Sequence, residues 1–362
     1  MSISNTIKNY FSNEKKMILN NQTIADDIVI DLNNAPKRLV FDKSSIGSTD
    51  DEKLKHNVFA IARKNKYVKN LVVELANNGY YLVEHKDGIS TFEKFDTAEK
   101  FKHNLTNSNL NIYKDLFYTL DKPSIASTTP RLLVVFSSVA DFSLNASISR
   151  RNFFINFKSI NKYVPSNTYV LRISDIGAVV GSFYLNNNFN KNVEKNVQEL
   201  LQLIMKSNGI EKKDVVLYGA SKGATASLYH ALKGGYNSVC VDPIVSDEYH
   251  ENQYNDPHFT QGTFPLSKQE KFIQLMKEVK IISDVNIIYS INSPIYEYIN
   301  AIIKDHDMEQ KIKYINISHP KIKDHPDVGP NTIDVLTLII NNLFYKLGDV
   351  SSKNLTIEAK IE

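Results

Sequence analysis

Between residues 130 and 345, short apolar runs alternate with segments of helical length. Most positions in the runs are apolar, which is typical of strands that are buried on both faces. This alternation predicts an α/β fold, in which a mostly parallel sheet is covered by helices on both faces. In such sheets, functional residues gather at the carboxyl ends of the strands. The predicted strands are residues 132–136, 169–173, 215–218, 238–241, 285–289 and 312–317, and the predicted helices between them and after them include 193–206, 224–232, 268–279 and 333–346.

The chain before this segment has a less regular pattern. Residues 27–32, 38–41 and 80–85 are strand-like, whereas residues 56–78 keep apolar side chains at three- and four-residue spacing and predict one helix. The stretch LDKPSIASTTPR is rich in Pro, Ser and Thr and predicts a connector. We therefore expect a smaller N-terminal α+β region over residues 1–125, a catalytic domain over 126–350 and a C-terminal tail over 351–362.

Charge and motif content narrow the classes of function. The 43 basic and 40 acidic residues give a net charge of +3, which provides no argument for a nucleic-acid or anionic-membrane partner. No apolar stretch reaches the roughly 18 residues of an integral membrane segment, and the N-terminus lacks the apolar segment of a signal peptide. We expect a cytoplasmic protein. The sequence has no zinc, P-loop or dinucleotide motif, so we expect neither a metal nor a bound cofactor.

The stretch DVVLYGASKGATASLYHAL contains a G-x-S-x-G pattern between an apolar run and a segment rich in alanine and leucine. In this pattern the serine occupies a strained turn from strand to helix. The helix that follows offers free N–H groups and a positive dipole end to a developing oxyanion. Ser221 is therefore the predicted nucleophile. The alternative interpretation is a glycine-framed turn with an idle serine.

A nucleophilic serine needs a base, and this arrangement places a histidine downstream, just before the last helix. His319 and His325 both lie in NISHPKIKDHPDVGPNT, between the last predicted strand and the last predicted helix. His325 precedes Pro-Asp-Val-Gly-Pro, a rigid loop that can present an imidazole. We predict His325 as the base and keep His319 as the second candidate.

Two residues compete for the role of the acid. The usual position follows residues 285–289, where a pattern such as N-D-P is expected, but the sequence reads SINSP, with serine in place of the aspartate. Glu297, three residues after the proline, is one replacement. Asp242, at the end of the preceding predicted strand, is the other and is slightly favoured because the sheet would hold it rigidly. Asp242 could equally cap the segment that follows it.

An oxyanion hole needs two N–H donors. The residue after the nucleophile, Lys222, is expected to supply one, and the Ser137-Ser138 loop after an earlier strand the other. The alternative for this loop is a serine-rich turn. The Lys222 side chain would either bind an anionic substrate or lie in solvent at the start of the helix.

The segment LYGASKGATASLYHALKGGYNSVCVDPIVSDEYH, with VVFSS upstream, resembles the XcbB/CpsF-type capsular polysaccharide biosynthesis proteins of Gram-negative pathogens. Its G-x-S-K-G turn is also similar to that of α/β-hydrolase proteins that act on surface glycans, including capsule O-acetyltransferases. The resemblance covers roughly residues 130–345. It implies an α/β-hydrolase-like cytoplasmic enzyme that acts on a capsular polysaccharide or its lipid-linked precursor, encoded with capsule polymerases. It supports Ser221, His325 and the 137–138 loop, and it leaves the acid open.

These features together predict a serine-dependent acyl-transfer enzyme. The acyl-enzyme would be resolved by a sugar hydroxyl in an O-acetyltransferase, with acetyl-CoA as a candidate co-substrate, or by water in an esterase. The sequence leaves both open because the same triad serves either reaction. The missing N-D-P aspartate favours a third interpretation, a non-catalytic hydrolase-fold scaffold that partners a capsule polymerase.

Overall fold

A computed structural model of the chain describes residues 15–18, 32, 35–42, 57–105, 109–140, 147–280, 282–307, 311–346 and 354–358. The strands in these ranges are β1 Lys15–Ile18, β2 Arg38–Asp42, β3 Tyr80–Lys86, β4 Ile89–Lys94, β5 Asn111–Tyr113, β6 Leu116–Asp121, β7 Arg131–Phe136, β8 Thr168–Ile173, β9 Val215–Ala220, β10 Asn237–Val241, β11 Val285–Tyr289, β12 Ile312–Ser318 and β13 Asn354–Glu358.

The α-helices in the same ranges are α1 Val58–Ala62, α2 Lys66–Asn77, α3 Ala98–Phe101, α4 Ile148–Asn152, α5 Val193–Asn208, α6 Lys222–Gly234, α7 Glu248–Tyr254, α8 Lys268–Glu278, α9 Tyr296–Ile302, α10 His325–Val328 and α11 Ile333–Tyr345. Within the described ranges, none of these helices combines the length and the apolar character that a bilayer crossing requires.

The larger of two sheets has nine strands in the order β13-β12-β11-β10-β9-β7-β8-β6-β5. Strands β7 to β13 pair in parallel, whereas β6 runs antiparallel to β8 and β5 antiparallel to β6. Parallel neighbours require crossover connections, and most of those in this sheet contain helices. The predicted fold class, a mostly parallel sheet covered by helices, is confirmed.

Helices cover both faces of this sheet, which explains why its strands are apolar along their length. Leu132 and Val134 of β7 belong to a buried cluster with residues of α5, whereas Leu133 and Val135 belong to one with residues of α11. Successive side chains of a strand point to opposite faces, so both sets are removed from water. Burying one such side chain contributes about 1.5–3 kcal/mol.

The strands and helices predicted between residues 130 and 345 match the observed ones to within two residues at each end. The single helix predicted over residues 56–78 is wrong. The described part of that segment forms two helices, α1 and α2, because the Asn65 side chain accepts hydrogen bonds from Tyr67 N and Val68 N at 2.9 and 3.1 Å and begins a new helix. The strand predicted at 27–32 lies, apart from Leu32, outside the described residues.

The smaller sheet has the strand order β1-β2-β4-β3 and packs with α1 and α2. Helix α2 also contacts the segment that follows α7: Lys69 Nζ donates to Asn255 O at 3.1 Å, and Asn77 Nδ2 donates to Gly262 O at 2.8 Å. The N-terminal part of the chain therefore helps to hold residues 255–262 in place.

The large sheet extends past both ends of the predicted catalytic domain. Strands β5 and β6 come from the part of the chain assigned to the N-terminal region, and β13 comes from the predicted tail. The division of the chain at residues 125 and 350 stays a proposal.

Candidate active site

Ser221 lies in the turn between β9, the central strand of the nine, and α6. Its backbone has φ 54° and ψ −120°, a conformation that residues other than glycine rarely adopt. Holding a residue there costs about 1–3 kcal/mol, so the neighbouring structure must enforce it. The Ser221 N–H donates to Val241 O at 2.9 Å, which ties the turn to the end of β10.

The two glycines of the motif allow close approach of the backbone at this turn. A Cβ atom on Gly219 would lie 2.1 Å from the carbonyl carbon and oxygen of Gly223. A Cβ atom on Gly223 would lie 2.6 Å from Phe136 O, at the end of β7. Both clashes are with backbone, which cannot move aside as a side chain can, so the turn requires glycine at both positions.

Gly219→Ala is expected to lower the free energy of unfolding by about 3 kcal/mol or more, because the turn must open to admit the methyl group. Gly209→Ala is the matched control: Gly209 has φ +63° and no atom within 4 Å of an added Cβ. Only a left-handed backbone penalty of about 1–2 kcal/mol is expected there. Urea denaturation measures both, and equal losses would contradict the steric argument.

Ser221, His325 and Asp242 form a continuous chain of hydrogen bonds. Ser221 Oγ lies 2.7 Å from His325 Nε2, and His325 Nδ1 lies 2.7 Å from Asp242 Oδ2. His325 begins the short helix α10, where Asp324 Oδ1 accepts its N–H at 2.6 Å. Asp242 directly follows β10 and its N–H donates to Ile288 O at 2.7 Å, so the sheet holds the backbone of the acid.

A second hydrogen bond orients the Asp242 carboxylate. Ser293 Oγ, which is buried, donates to Asp242 Oδ2 at 2.6 Å. Ser293 is the serine of the N-S-P sequence, at the position where an aspartate was expected. This role was not predicted, and the place of Ser293 in that pattern is the signal in the sequence that could have identified it.

The other two candidates lie elsewhere. Glu297 is exposed on the first turn of α9, while Asp242 occupies the histidine nitrogen that an acid would bind. His319 Nδ1 accepts the N–H of Lys321 at 3.1 Å and stabilises a local turn. The structure thus brings Asp242 and His325, not Glu297 and His319, to Ser221.

The backbone of Lys222 faces the site at Ser221, whereas its side chain forms an ion pair inside the protein. As the first residue of α6, it has an N–H with no partner inside the helix, beside Ser221. Its side chain is fully buried and Nζ lies 2.9 Å from Asp175 Oδ2. The expectation that this side chain binds substrate or lies in solvent is wrong, because Asp175 neutralises it inside the protein.

The two serines of the expected oxyanion loop are also used differently. The Ser137 N–H already donates to Tyr184 Oη at 2.7 Å and is not available to a ligand. Ser138 lines the cavity at Ser221, and its Oγ donates to Ala220 O at 2.6 Å. Of the predicted pair, Ser138 is therefore the one placed to contact a bound group.

A cavity of about 510 Å³ opens at Ser221. Apolar side chains line it, among them Phe154, Phe157 and Ile333, and so do His250 and His258.

Burial lowers the pKa of His250 to about 4 and the pKa of His258 well below its ordinary value. Nowhere in the described ranges do three His, Cys, Asp or Glu side chains group as metal ligands.

The fold is α/β-hydrolase-like, with a serine turn at the carboxyl end of a central parallel strand and the order Ser, Asp, His along the chain. No protein-family model and no curated protein matches this sequence.

Several solved structures overlap the chain in part. The capsule O-acetyltransferase of Neisseria meningitidis serogroup A has 15% identity, with 66% of this chain and 99% of that chain covered and a TM-score of 0.48. The glycosylation-associated protein (Gap123) complex from Streptococcus agalactiae has 16% identity, with 70% of this chain and 50% of that chain covered and a TM-score of 0.49. An S-formylglutathione hydrolase from Agrobacterium tumefaciens has 12% identity, with 63% of this chain and 90% of that chain covered and a TM-score of 0.41. Because these TM-scores are below 0.5, the chemistry of this chain must be derived from its own side chains.

Proposed function

We propose that this protein is a serine-dependent acyl-transfer enzyme. The observation that carries the proposal is the hydrogen-bonded chain from Ser221 Oγ through His325 to Asp242, at the mouth of a cavity large enough for a small substrate. A serine that only filled a tight turn would need neither the imidazole within 2.7 Å nor a buried carboxylate behind it.

In the first half-reaction, His325 Nε2 takes the proton of Ser221 as Oγ attacks the carbonyl carbon of the acyl donor. The Asp242 carboxylate accepts the Nδ1–H of His325, which holds the required tautomer and stabilises the imidazolium. The backbone N–H groups of Lys222 and Ser138 donate hydrogen bonds to the oxyanion and stabilise it. When the tetrahedral intermediate collapses, the leaving group departs with the proton from His325.

In the second half-reaction, the oxygen of a hydroxyl group attacks the acyl carbon and gives its proton to His325. The bond from the acyl carbon to Ser221 Oγ then breaks, and the proton passes from His325 to Oγ. A sugar hydroxyl makes the protein an O-acetyltransferase, and water makes it an esterase. The resemblance in sequence suggests a capsular polysaccharide or its precursor as the acceptor, acetyl-CoA as the donor, a capsule polymerase as a partner and a cytoplasmic location. These finer points are part of the proposal.

A fluorophosphonate probe tests the proposal, because it labels only a serine that a neighbouring base activates. We expect one adduct, found on Ser221 by peptide mass spectrometry, and none on the Ser221→Ala variant. Ser127→Ala is a control at an exposed serine that does not line the cavity, and it should still be labelled. If the folded wild-type protein forms no adduct, the non-catalytic scaffold becomes the better interpretation.

A further inference from the structure

Two histidines in the cavity are not used by the hydrogen-bonded chain from Ser221 to Asp242. The ring centroid of His250 lies 6.4 Å from that of His325 and 4.5 Å from that of His258. His250 is 9% exposed, and its enclosed Nδ1 has no hydrogen-bond partner among the described residues. Such atoms are rare in native proteins and indicate a missing partner. Half a turn of this ring about its last side-chain bond exchanges Nδ1 with a ring carbon and would direct the nitrogen to the other edge of the ring.

The segment that carries His258 is rigidly built. Asn255, Asp256 and Phe259 all have φ between 53° and 58°, which non-glycine residues rarely adopt. The Asp256 carboxylate accepts the N–H groups of Thr260 and Gln261 at 2.8 and 3.0 Å and fixes the loop from inside. Strain of this kind persists where the surrounding structure enforces it and is concentrated at functional sites.

The N-terminal part of the chain braces the same segment from outside. Lys69 of α2 lies 3.8 Å from Asp256 Oδ2, and the rings of Phe59 and Phe259 pack with centroids 5.8 Å apart. The position of His258 in the cavity is therefore fixed by contacts on both sides of its loop.

The two lysines near this pair of histidines are already paired with carboxylates. Lys268 pairs with Asp247, and Lys222 pairs with Asp175. Burial, with these cations nearby, keeps the pKa of both imidazoles below the ordinary value, so both rings are neutral near pH 7. A neutral imidazole has one donor and one acceptor, which matches a hydroxyl group, whereas a carboxylate or phosphate only accepts.

We propose that His250 and His258 form a subsite that binds a hydroxyl group of an uncharged sugar and presents it to the acyl-enzyme. This inference rests on the proposed function and makes the protein a transferase. In the transfer step, a sugar oxygen forms the new bond to the acyl carbon, its proton goes to His325 Nε2, and the bond to Ser221 Oγ breaks. The proton then passes from His325 to Oγ.

The test uses p-nitrophenyl acetate as the donor and methyl α-D-glucopyranoside as the acceptor, and it measures the ratio of acetylated sugar to free acetate. Because sugar and water compete for the same acyl-enzyme, the ratio is insensitive to how fast that intermediate forms. We expect sugar transfer by the wild type, a ratio about tenfold lower in His250→Leu and in His258→Leu, and substantial recovery in His250→Gln. Gln253→Leu, exposed on the same helix, is the matched control and should keep the wild-type ratio.

Methyl α-D-glucuronate, in which a carboxylate replaces the C6 hydroxymethyl group, should be acetylated less than methyl α-D-xylopyranoside, a neutral sugar with the same ring hydroxyls and no C6 group. Preference for the glucuronate, an unchanged ratio in both leucine variants, or a wild type that transfers nothing to methyl α-D-glucopyranoside would each overturn the subsite. If intact-protein mass spectrometry shows no acetyl group on the wild-type enzyme, the proposed function fails first, and the inference falls with it.

Discussion

Replacing His325 by alanine is expected to lower kcat on p-nitrophenyl acetate by about 10⁶-fold. His325 Nε2, 2.7 Å from Ser221 Oγ, is the group placed to take the serine proton. Without it, the attacking group is a neutral hydroxyl, and no other described residue has a basic side-chain atom within hydrogen-bond distance of Ser221 Oγ. The protein should still fold, because His325 begins a four-residue helix and is only partly buried.

His319→Ala is the matched control, because His319 lies in the same connection between β12 and α11 and binds a backbone N–H instead of the serine. Its kcat should stay within about twofold of the wild type. Circular dichroism confirms that both variants are folded. Loss of activity in His319→Ala with retention in His325→Ala would reverse the assignment of the base.

Asp242→Asn is expected to lower kcat by about 10⁴-fold with little change in the fold. Asp242 Oδ2 receives hydrogen bonds from His325 Nδ1 and Ser293 Oγ, at 2.7 and 2.6 Å. An amide of the same shape carries no charge to stabilise the imidazolium and can present an N–H to Nδ1, which favours the wrong tautomer. The nucleophile and the oxyanion donors remain, so some activity should survive.

Glu297→Gln is the matched control for the acid, since it makes the same change of carboxylate to amide at the position that the usual pattern favoured. Because Glu297 is exposed on α9, we expect activity within about twofold of the wild type. Rates of p-nitrophenolate release for the two variants, side by side, decide between the carboxylates. A large loss in Glu297→Gln alone would make Asp242 a structural residue.

The local sequence pattern was sufficient to predict the strands of the large sheet and the turn that carries Ser221. The strands β7 to β12 could be predicted because burial on both faces demands apolar runs, and a run is visible without knowledge of its neighbours. The same holds for the turn at Ser221, since the two glycines that permit it lie two residues to either side. The helix over 56–78 failed where one capping side chain, Asn65, outweighed the apolar spacing.

The sequence by itself determined a parallel sheet, a serine turn at the end of one of its strands and a short list of partners for that serine. Only the tertiary structure chose among them, because His325 and Asp242 meet across 83 residues of chain, and Ser293 reaches Asp242 across 51. It also paired Lys222 with Asp175 and placed His250 and His258 in the cavity. Spacing along the chain encodes which face of an element is buried, whereas contacts between the ends of different strands depend on how those elements pack in three dimensions.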